Sequence, residues 1–130
     1  MKAYLGKENI IRKTHLVLSV FIVVPASFIY GFDLASQFDI YLQTTNEHNV
    51  FKAIMGLYLG FSVLWVLGLF KQKYFITALI TNAVFMLGLG FGRMTSMLLD
   101  GLPTFTFIAG TLGELILGFY GLWVLKRTNN

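Results

Sequence analysis

The chain has 130 residues, of which 56% are hydrophobic and 12% charged, with a net charge of +4 and a mean hydropathy of +0.71. Because a soluble domain carries about a quarter charged residues, this composition nearly excludes a soluble globular enzyme, a disordered or fibrous chain and a nucleic-acid-binding protein. The absence of cysteine excludes disulfides, thiolate catalysis, iron–sulfur clusters and thiolate zinc sites, so the composition predicts a small integral membrane protein.

The first apolar stretch follows a polar, basic N-terminal segment and predicts a membrane span over residues 14–32. Its length is near the lower limit of the ~20 residues that a helix needs to cross a ~30 Å hydrocarbon core. A cleavable signal peptide would also begin with a basic segment. The apolar stretch is long for a signal peptide, however, and no small-x-small cleavage site closes it. We therefore interpret it as the first span.

Residues 33–49 form the only sizeable segment predicted to lie outside the membrane. Leu34, Phe38, Tyr41 and Leu42 recur there at helical spacing, which favours a short amphipathic helix on the membrane surface. An ordered surface loop fits the same residues equally well, and the sequence leaves both open.

Three further spans are predicted over residues 50–70, 74–94 and 104–125, with the third helix continuing to about residue 99. Lys71-Gln-Lys73 separates the second span from the third, and Gly101-Leu-Pro103 is typical of a helix stop and a tight turn. The sequence therefore predicts an all-α, integral membrane four-helix bundle in a single domain over residues 1–130.

The distribution of basic residues predicts the orientation of the bundle. Eight of the ten Lys and Arg residues lie in the N-terminal segment, the loop at 71–73 and the C-terminal segment. These eight are Lys2, Lys7, Arg12, Lys13, Lys71, Lys73, Lys126 and Arg127. Because Lys and Arg accumulate on the cytoplasmic side of membrane spans, we expect both termini to face the cytoplasm.

Glycines are frequent in spans two to four and predict close helix packing there. Gly56 and Gly60 form a small-xxx-small pair in span two, as do Gly88 and Gly92 in span three. Span four carries Gly110, Gly113, Gly118 and Gly121. The same pairs could instead form the interface of a homo-oligomer, and the sequence does not separate these two interpretations.

Four polar residues of span three share one helix face. At 100° per residue, Asn82, Arg93, Ser96 and Asp100 fall within a narrow stripe. Ionisable groups within a span are costly unless they are paired or hydrated. We therefore expect this stripe to point into the bundle.

Glu114 is the one carboxylate deep within a predicted span. At 1.5 Å per residue it lies ~15 Å below the start of span four, close to the bilayer midplane, and Asn82 lies at a similar depth. We expect Glu114 to face the polar stripe and to accept a hydrogen bond from Asn82 or from Arg93.

Lys52 lies about a turn inside span two and predicts a ring of charge with Arg93, Glu47, Asp100 and Asp33. One interpretation is an interfacial ion-pair network that fixes loops to helices. The other is a polar pocket, open outward, that binds a ligand through Glu114, Arg93, Asn82, Ser96, Asp100 and Lys52. His15 and His48 lie at opposite ends of the bundle, so a shared haem or metal is excluded, and no cofactor or metal site is expected.

Three parts of the sequence resemble a family of small bacterial four-span membrane proteins, the domain of unknown function numbered four-three-four-five. They are Asn46-Glu47 with residues 51–60 (Phe-Lys-Ala-Ile-Met-Gly-Leu-Tyr-Leu-Gly), residues 92–101 (Gly-Arg-Met-Thr-Ser-Met-Leu-Leu-Asp-Gly) and Glu114 in the last span. Lys52 departs from the arginine expected there, which keeps the charge but loses the bidentate geometry. The resemblance implies a membrane location and a four-span fold, and it implies no activity.

These features favour a noncatalytic ligand-binding or accessory subunit of the inner membrane. Its expected partners are the lipid bilayer and a lipid, quinone or small polar ligand, with no nucleic acid. One alternative is a small proton-coupled transporter in which Glu114 cycles between protonated and charged states. Another is a quinone-associated redox accessory protein, although the absence of cysteine and of a haem-competent histidine pair counts against it unless a partner brings the cofactor.

Overall fold

Four long α-helices account for most of the chain in the computed structural model, which describes the backbone from residue 2 and side chains from residue 8 to residue 130. The helices are α1 (Lys2–Gly31), α2 (Thr45–Phe70), α3 (Phe75–Asp100) and α4 (Phe105–Asn129). Each contains a segment long and apolar enough to cross a membrane. No strand occurs among the described residues. The predicted all-α four-helix membrane bundle is confirmed.

α2 begins at Thr45, ahead of the apolar stretch that starts near residue 50, because its N-terminus is capped. The Thr44 hydroxyl accepts a hydrogen bond from the Glu47 backbone N–H at 3.1 Å, and the Glu47 carboxylate accepts one from the Thr44 N–H at 3.1 Å. This capping box satisfies backbone donors that the helix cannot pair itself. Hydropathy alone does not detect such a turn, because its residues are polar.

The segment between α1 and α2 is a loop, so the amphipathic-helix interpretation is wrong and the loop alternative is correct. It contains a single 3₁₀ turn, Ser36–Phe38, followed by irregular chain up to Thr44. Asp33 and Asp39 have φ values of 55° and 61°, in the left-handed region that aspartate tolerates and a continuous helix does not. The apolar residues of this segment therefore recur at helical spacing although the segment does not form an α-helix.

The four helices do not pack equally around the bundle. Contacts between α1 and α2 and between α3 and α4 are extensive, those between α2 and α3 are fewer, and α1 touches α4 only sparsely. The core between α2 and α3 is aromatic, with the Trp65 and Phe85 ring centroids 5.1 Å apart and those of Tyr58 and Phe85 5.2 Å apart. The seam between α1 and α4 is consequently the most open part of the bundle.

Some glycines permit close helix contact, but not those of the two small-xxx-small pairs. A Cβ on Gly90 would lie 2.6 Å from Leu115 Cδ2, and one on Gly118 would lie 2.7 Å from Leu87 Cδ2. In contrast, a Cβ on any residue of the two pairs would have no heavy atom within 4 Å. The prediction that those pairs pack within the bundle is wrong, because they face outward. Their role in a homo-oligomer stays a prediction.

Candidate functional site

An ion pair between α3 and α4 is the centre of the candidate site. Arg93 Nε donates to Glu114 Oε1 at 3.1 Å, and the two side chains keep 26% and 14% of their surface accessible. Of the two alternative donors expected for Glu114, Arg93 makes the hydrogen bond. Asn82 does not.

The pair lies well inside the bundle. The end that carries residues 32–44 and the turn at 101–104 is here called the long-loop end. Arg93 precedes the last residue of α3 by about two turns, or ~10 Å, and Glu114 follows the first residue of α4 by about two and a half turns, or ~14 Å. Each charge is therefore about two turns or more from the nearer end of its helix, and Arg93 is close to the end of the predicted span 74–94.

Aromatic side chains surround the guanidinium. Arg93 Nη2 donates to the Tyr30 hydroxyl at 3.3 Å, which ties α3 to the last turn of α1. Arg93 Cζ lies 5.4 Å from the Phe107 ring centroid, a cation–π contact. Phe38, from the 3₁₀ turn, packs edge-on against Phe107 with centroids 6.0 Å apart. Sequence reasoning missed these three aromatics, because aromatic residues near helix ends are common in membrane proteins and carry no specific signal.

Two adjoining hollows, of about 350 and 260 Å³, open between α1 and α4 beside the ion pair. We call them together the α1–α4 pocket. The residues that line both are Ile22, Ala26, Tyr30, Arg93, Gly110 and Glu114. Gly110 and Gly113, which also lines the larger hollow, have no heavy atom within 4 Å of a Cβ position. Gly110 and Gly113 thus leave room for the pocket, whereas Gly118, farther along α4, permits the close contact with α3.

The walls and the floor of the pocket differ in chemistry. Among the described residues, the only charged side chains that line it are Arg93 and Glu114, so its formal charge sums to zero. The remaining lining is aliphatic and aromatic apart from Thr106 and the tyrosine hydroxyls. An apolar cleft with a few convergent polar groups is the usual form of a small-molecule site.

The other residues of the predicted polar stripe do not reach the pocket. Asn82 is fully buried, and neither atom of its amide has a hydrogen-bond partner among the described residues. Ser96 donates to Asp100 at 2.9 Å, and both are exposed on the last turns of α3. The stripe therefore divides into a buried amide, a pocket arginine and an exposed pair at the helix end.

The predicted ring of charge is not formed by direct contacts among the described side chains. Lys52 Nζ donates to the Gly31 carbonyl oxygen at 2.9 Å and lies 5.8 Å from the Phe32 ring centroid. It thus caps the C-terminus of α1, where free carbonyl groups favour a cation. Glu47 caps α2, and Asp33 accepts from the Leu42 N–H at 3.4 Å. Lys52, Glu47 and Asp33 therefore each bond to a nearby backbone group and not to one another.

A second group of buried polar atoms lies nearer the other end of the bundle. His15 is 1% exposed and packs on Tyr120 with ring centroids 5.3 Å apart, and neither ring nitrogen has a partner among the described residues. Trp65 Nε1 is likewise unpartnered. The sequence predicted His15 at the end of a helix and gave no sign of its burial. In the structure α1 begins at Lys2, well before the apolar stretch, so His15 lies within the helix. In the described part of the chain, no three His, Asp or Glu side chains are grouped as metal ligands would be.

Comparison with known protein families gives a match over most of the chain. A family model described as a domain of unknown function (DUF4345) matches residues 11–125. No curated protein and no solved structure matches the chain.

Proposed function

The chain belongs to the family described as domain of unknown function DUF4345, and we propose that it is a noncatalytic ligand-binding protein of the bacterial inner membrane. Its α1–α4 pocket takes the headgroup of an amphiphile that is dissolved in the bilayer. The apolar part of that ligand stays between α1 and α4, in contact with lipid.

One observation carries this proposal: an ion pair deep in the bundle forms the floor of a cleft whose walls are apolar. Charges at this depth are costly unless they are paired, and they commonly mark ligand or ion sites. An ion pair that served packing alone would be expected to sit in a filled interior. Here two hollows adjoin it, and glycines on α4 keep them unfilled.

The position of the pocket supports entry of the ligand from the bilayer. Among the helices that are neighbours around the bundle, α1 and α4 make the sparsest contact, and Ile22 at the edge of this seam is 56% exposed. With both termini in the cytoplasm, as the basic residues indicate, the long-loop end faces outward. The pocket then opens to the outer leaflet.

Filling the pocket tests the proposal. Gly113→Leu places an isobutyl group in the larger hollow, whereas Gly88→Leu adds the same group to an open surface of α3 that does not line the pocket. The three proteins are extracted from bacterial membranes in polymer nanodiscs, and co-purifying lipids are identified by mass spectrometry. We expect one amphiphile to be enriched over bulk lipid with the wild type and Gly88→Leu, and to be absent from Gly113→Leu. Equal lipid profiles for all three proteins would contradict the proposal.

A proton-coupled carrier is the second candidate, and one observation favours it. His15 and Asn82 provide buried, unpartnered polar groups between the ion pair and the short loop at residues 71–74. A carrier requires Glu114 to exchange protons, so Glu114→Gln would abolish uptake into proteoliposomes while the protein stays folded. A binding protein shows no uptake in either form.

A further inference from the structure

The chemistry of the α1–α4 pocket restricts its ligand further, and this inference rests on the proposed function. We infer that the headgroup is a neutral, planar carbonyl compound of the quinone class, in preference to an anionic lipid headgroup. Three independent features of the pocket support this choice: its charge, its hydrogen-bond donors and its aromatic lining.

The charge balance of the pocket disfavours an anion. Arg93 is already paired with Glu114, and no other charged side chain lines the pocket among the described residues. A phosphate or fatty-acid carboxylate bound there would share one guanidinium with Glu114. The resulting excess negative charge in surroundings of low dielectric constant is strongly unfavourable. A neutral headgroup leaves the existing pair intact.

The polar groups that face the pocket are mostly donors. Arg93 uses Nε for Glu114 and one Nη2 hydrogen for Tyr30, and its other N–H groups have no partner among the described residues. The Tyr30 oxygen accepts from Arg93, so its own proton has no acceptor there. Glu114 Oε2 has no partner but is shielded from the pocket. A ligand therefore meets donors and needs an acceptor, which a carbonyl oxygen provides.

The aromatic lining favours a flat ring. Tyr30 and Tyr58 line the larger hollow with ring centroids 6.1 Å apart, and Phe38 and Phe107 line the smaller one. Aromatic rings stabilise a planar conjugated head by stacked or edge contacts that a glycerol ester cannot make. The larger hollow also reaches the lower end of the volume range typical of small-ligand sites.

The experiment compares four probes on the purified full chain in nanodiscs by native mass spectrometry. They are ubiquinone with two isoprene units, dioleoylglycerol, palmitate and phosphatidylglycerol. We expect ubiquinone to bind most tightly. Tyr30→Phe, which removes one hydroxyl donor, should weaken ubiquinone binding ~5- to 10-fold, the loss expected for one hydrogen bond. The matched control Tyr41→Phe alters an exposed loop tyrosine and should leave binding unchanged.

The outcomes separate the two levels of the proposal. If palmitate, phosphatidylglycerol or dioleoylglycerol binds as tightly as ubiquinone, and Gly113→Leu blocks it, the quinone class is overturned and the pocket function is retained. If none of the probes binds and no lipid is lost from Gly113→Leu in the nanodisc experiment, both proposals fail. If Gly113→Leu does not fold, the Tyr30→Phe and Tyr41→Phe pair decides: equal ubiquinone affinities overturn the inference.

Discussion

Removing the two charges of the Arg93–Glu114 pair, singly and together, measures how the bundle holds an ion pair at this depth. Arg93→Met and Glu114→Leu each leave the other charge without its partner. Fully buried pairs lose about 3–5 kcal/mol when one member is removed. Because these side chains keep 26% and 14% of their surface accessible, we expect each single change to cost about 2–4 kcal/mol.

The double variant should be much more stable than the sum of the single changes predicts. With both charges gone, no desolvated ion is left, and a buried pair replaced by apolar side chains of similar size is often neutral in stability. We expect Arg93→Met/Glu114→Leu to lie within about 1 kcal/mol of the wild type. The coupling between the two positions would then amount to several kcal/mol.

The assay is reversible unfolding by sodium dodecyl sulfate in mixed micelles, followed by tryptophan fluorescence in a Trp123→Phe background, so that the signal comes from the fully buried Trp65. A control cycle uses Ser96→Ala and Asp100→Ala, which break a hydrogen bond between exposed side chains. Its coupling should stay below about 1 kcal/mol, as for other exposed polar pairs. If the Arg93 and Glu114 changes add independently, as in the control cycle, the pair does not act as a unit and the reasoning is refuted.

Three further predictions concern packing, burial and orientation. Gly118→Ala should destabilise the bundle by about 1–3 kcal/mol, because the added Cβ meets Leu87. The control Gly88→Ala adds its Cβ in open space and should leave stability unchanged. Equal unfolding midpoints for the two variants in the same assay would contradict this prediction. Asn82→Leu should raise stability by about 1 kcal/mol, because it removes two buried polar atoms without partners; a large loss would show that the amide is satisfied in the membrane. Because the chain has no cysteine, single cysteines at Asn46 and Asn130 can report orientation. In intact spheroplasts an impermeant maleimide should label the cysteine at position 46 and not the one at position 130. The reverse labelling pattern would show that the bundle has the opposite orientation.

The fold was predictable because membrane spans depend on length and hydropathy, which are read directly from the sequence. The Arg93–Glu114 contact could also be predicted from the sequence. The rise per residue gives the depth of each charged residue along its helix, and a buried charge needs a partner. Together these leave few alternative partners for Glu114. The early start of α2 could have been found from the Thr44-x-x-Glu47 capping box.

The pocket itself could not be predicted, because it depends on how the helices are arranged around each other. Helical periodicity identifies which residues share a face but not which neighbouring helix that face meets. Tyr30 and Phe107 belong to different spans, and nothing in their local sequence relates them to Arg93. The outward-facing glycine pairs illustrate the same limit, since a small residue permits close contact without specifying its partner.

The connectivity of the bundle also has a consequence for its biosynthesis. Tyr30 lies on the first helix to be made and Glu114 on the last, while the guanidinium that joins them is on the third. Because Glu114 follows Arg93 by 21 residues, Arg93 reaches the membrane before its counter-ion does. The nascent chain must keep that arginine near water or within the translocon until the final helix arrives, so the pocket is assembled only by completed insertion.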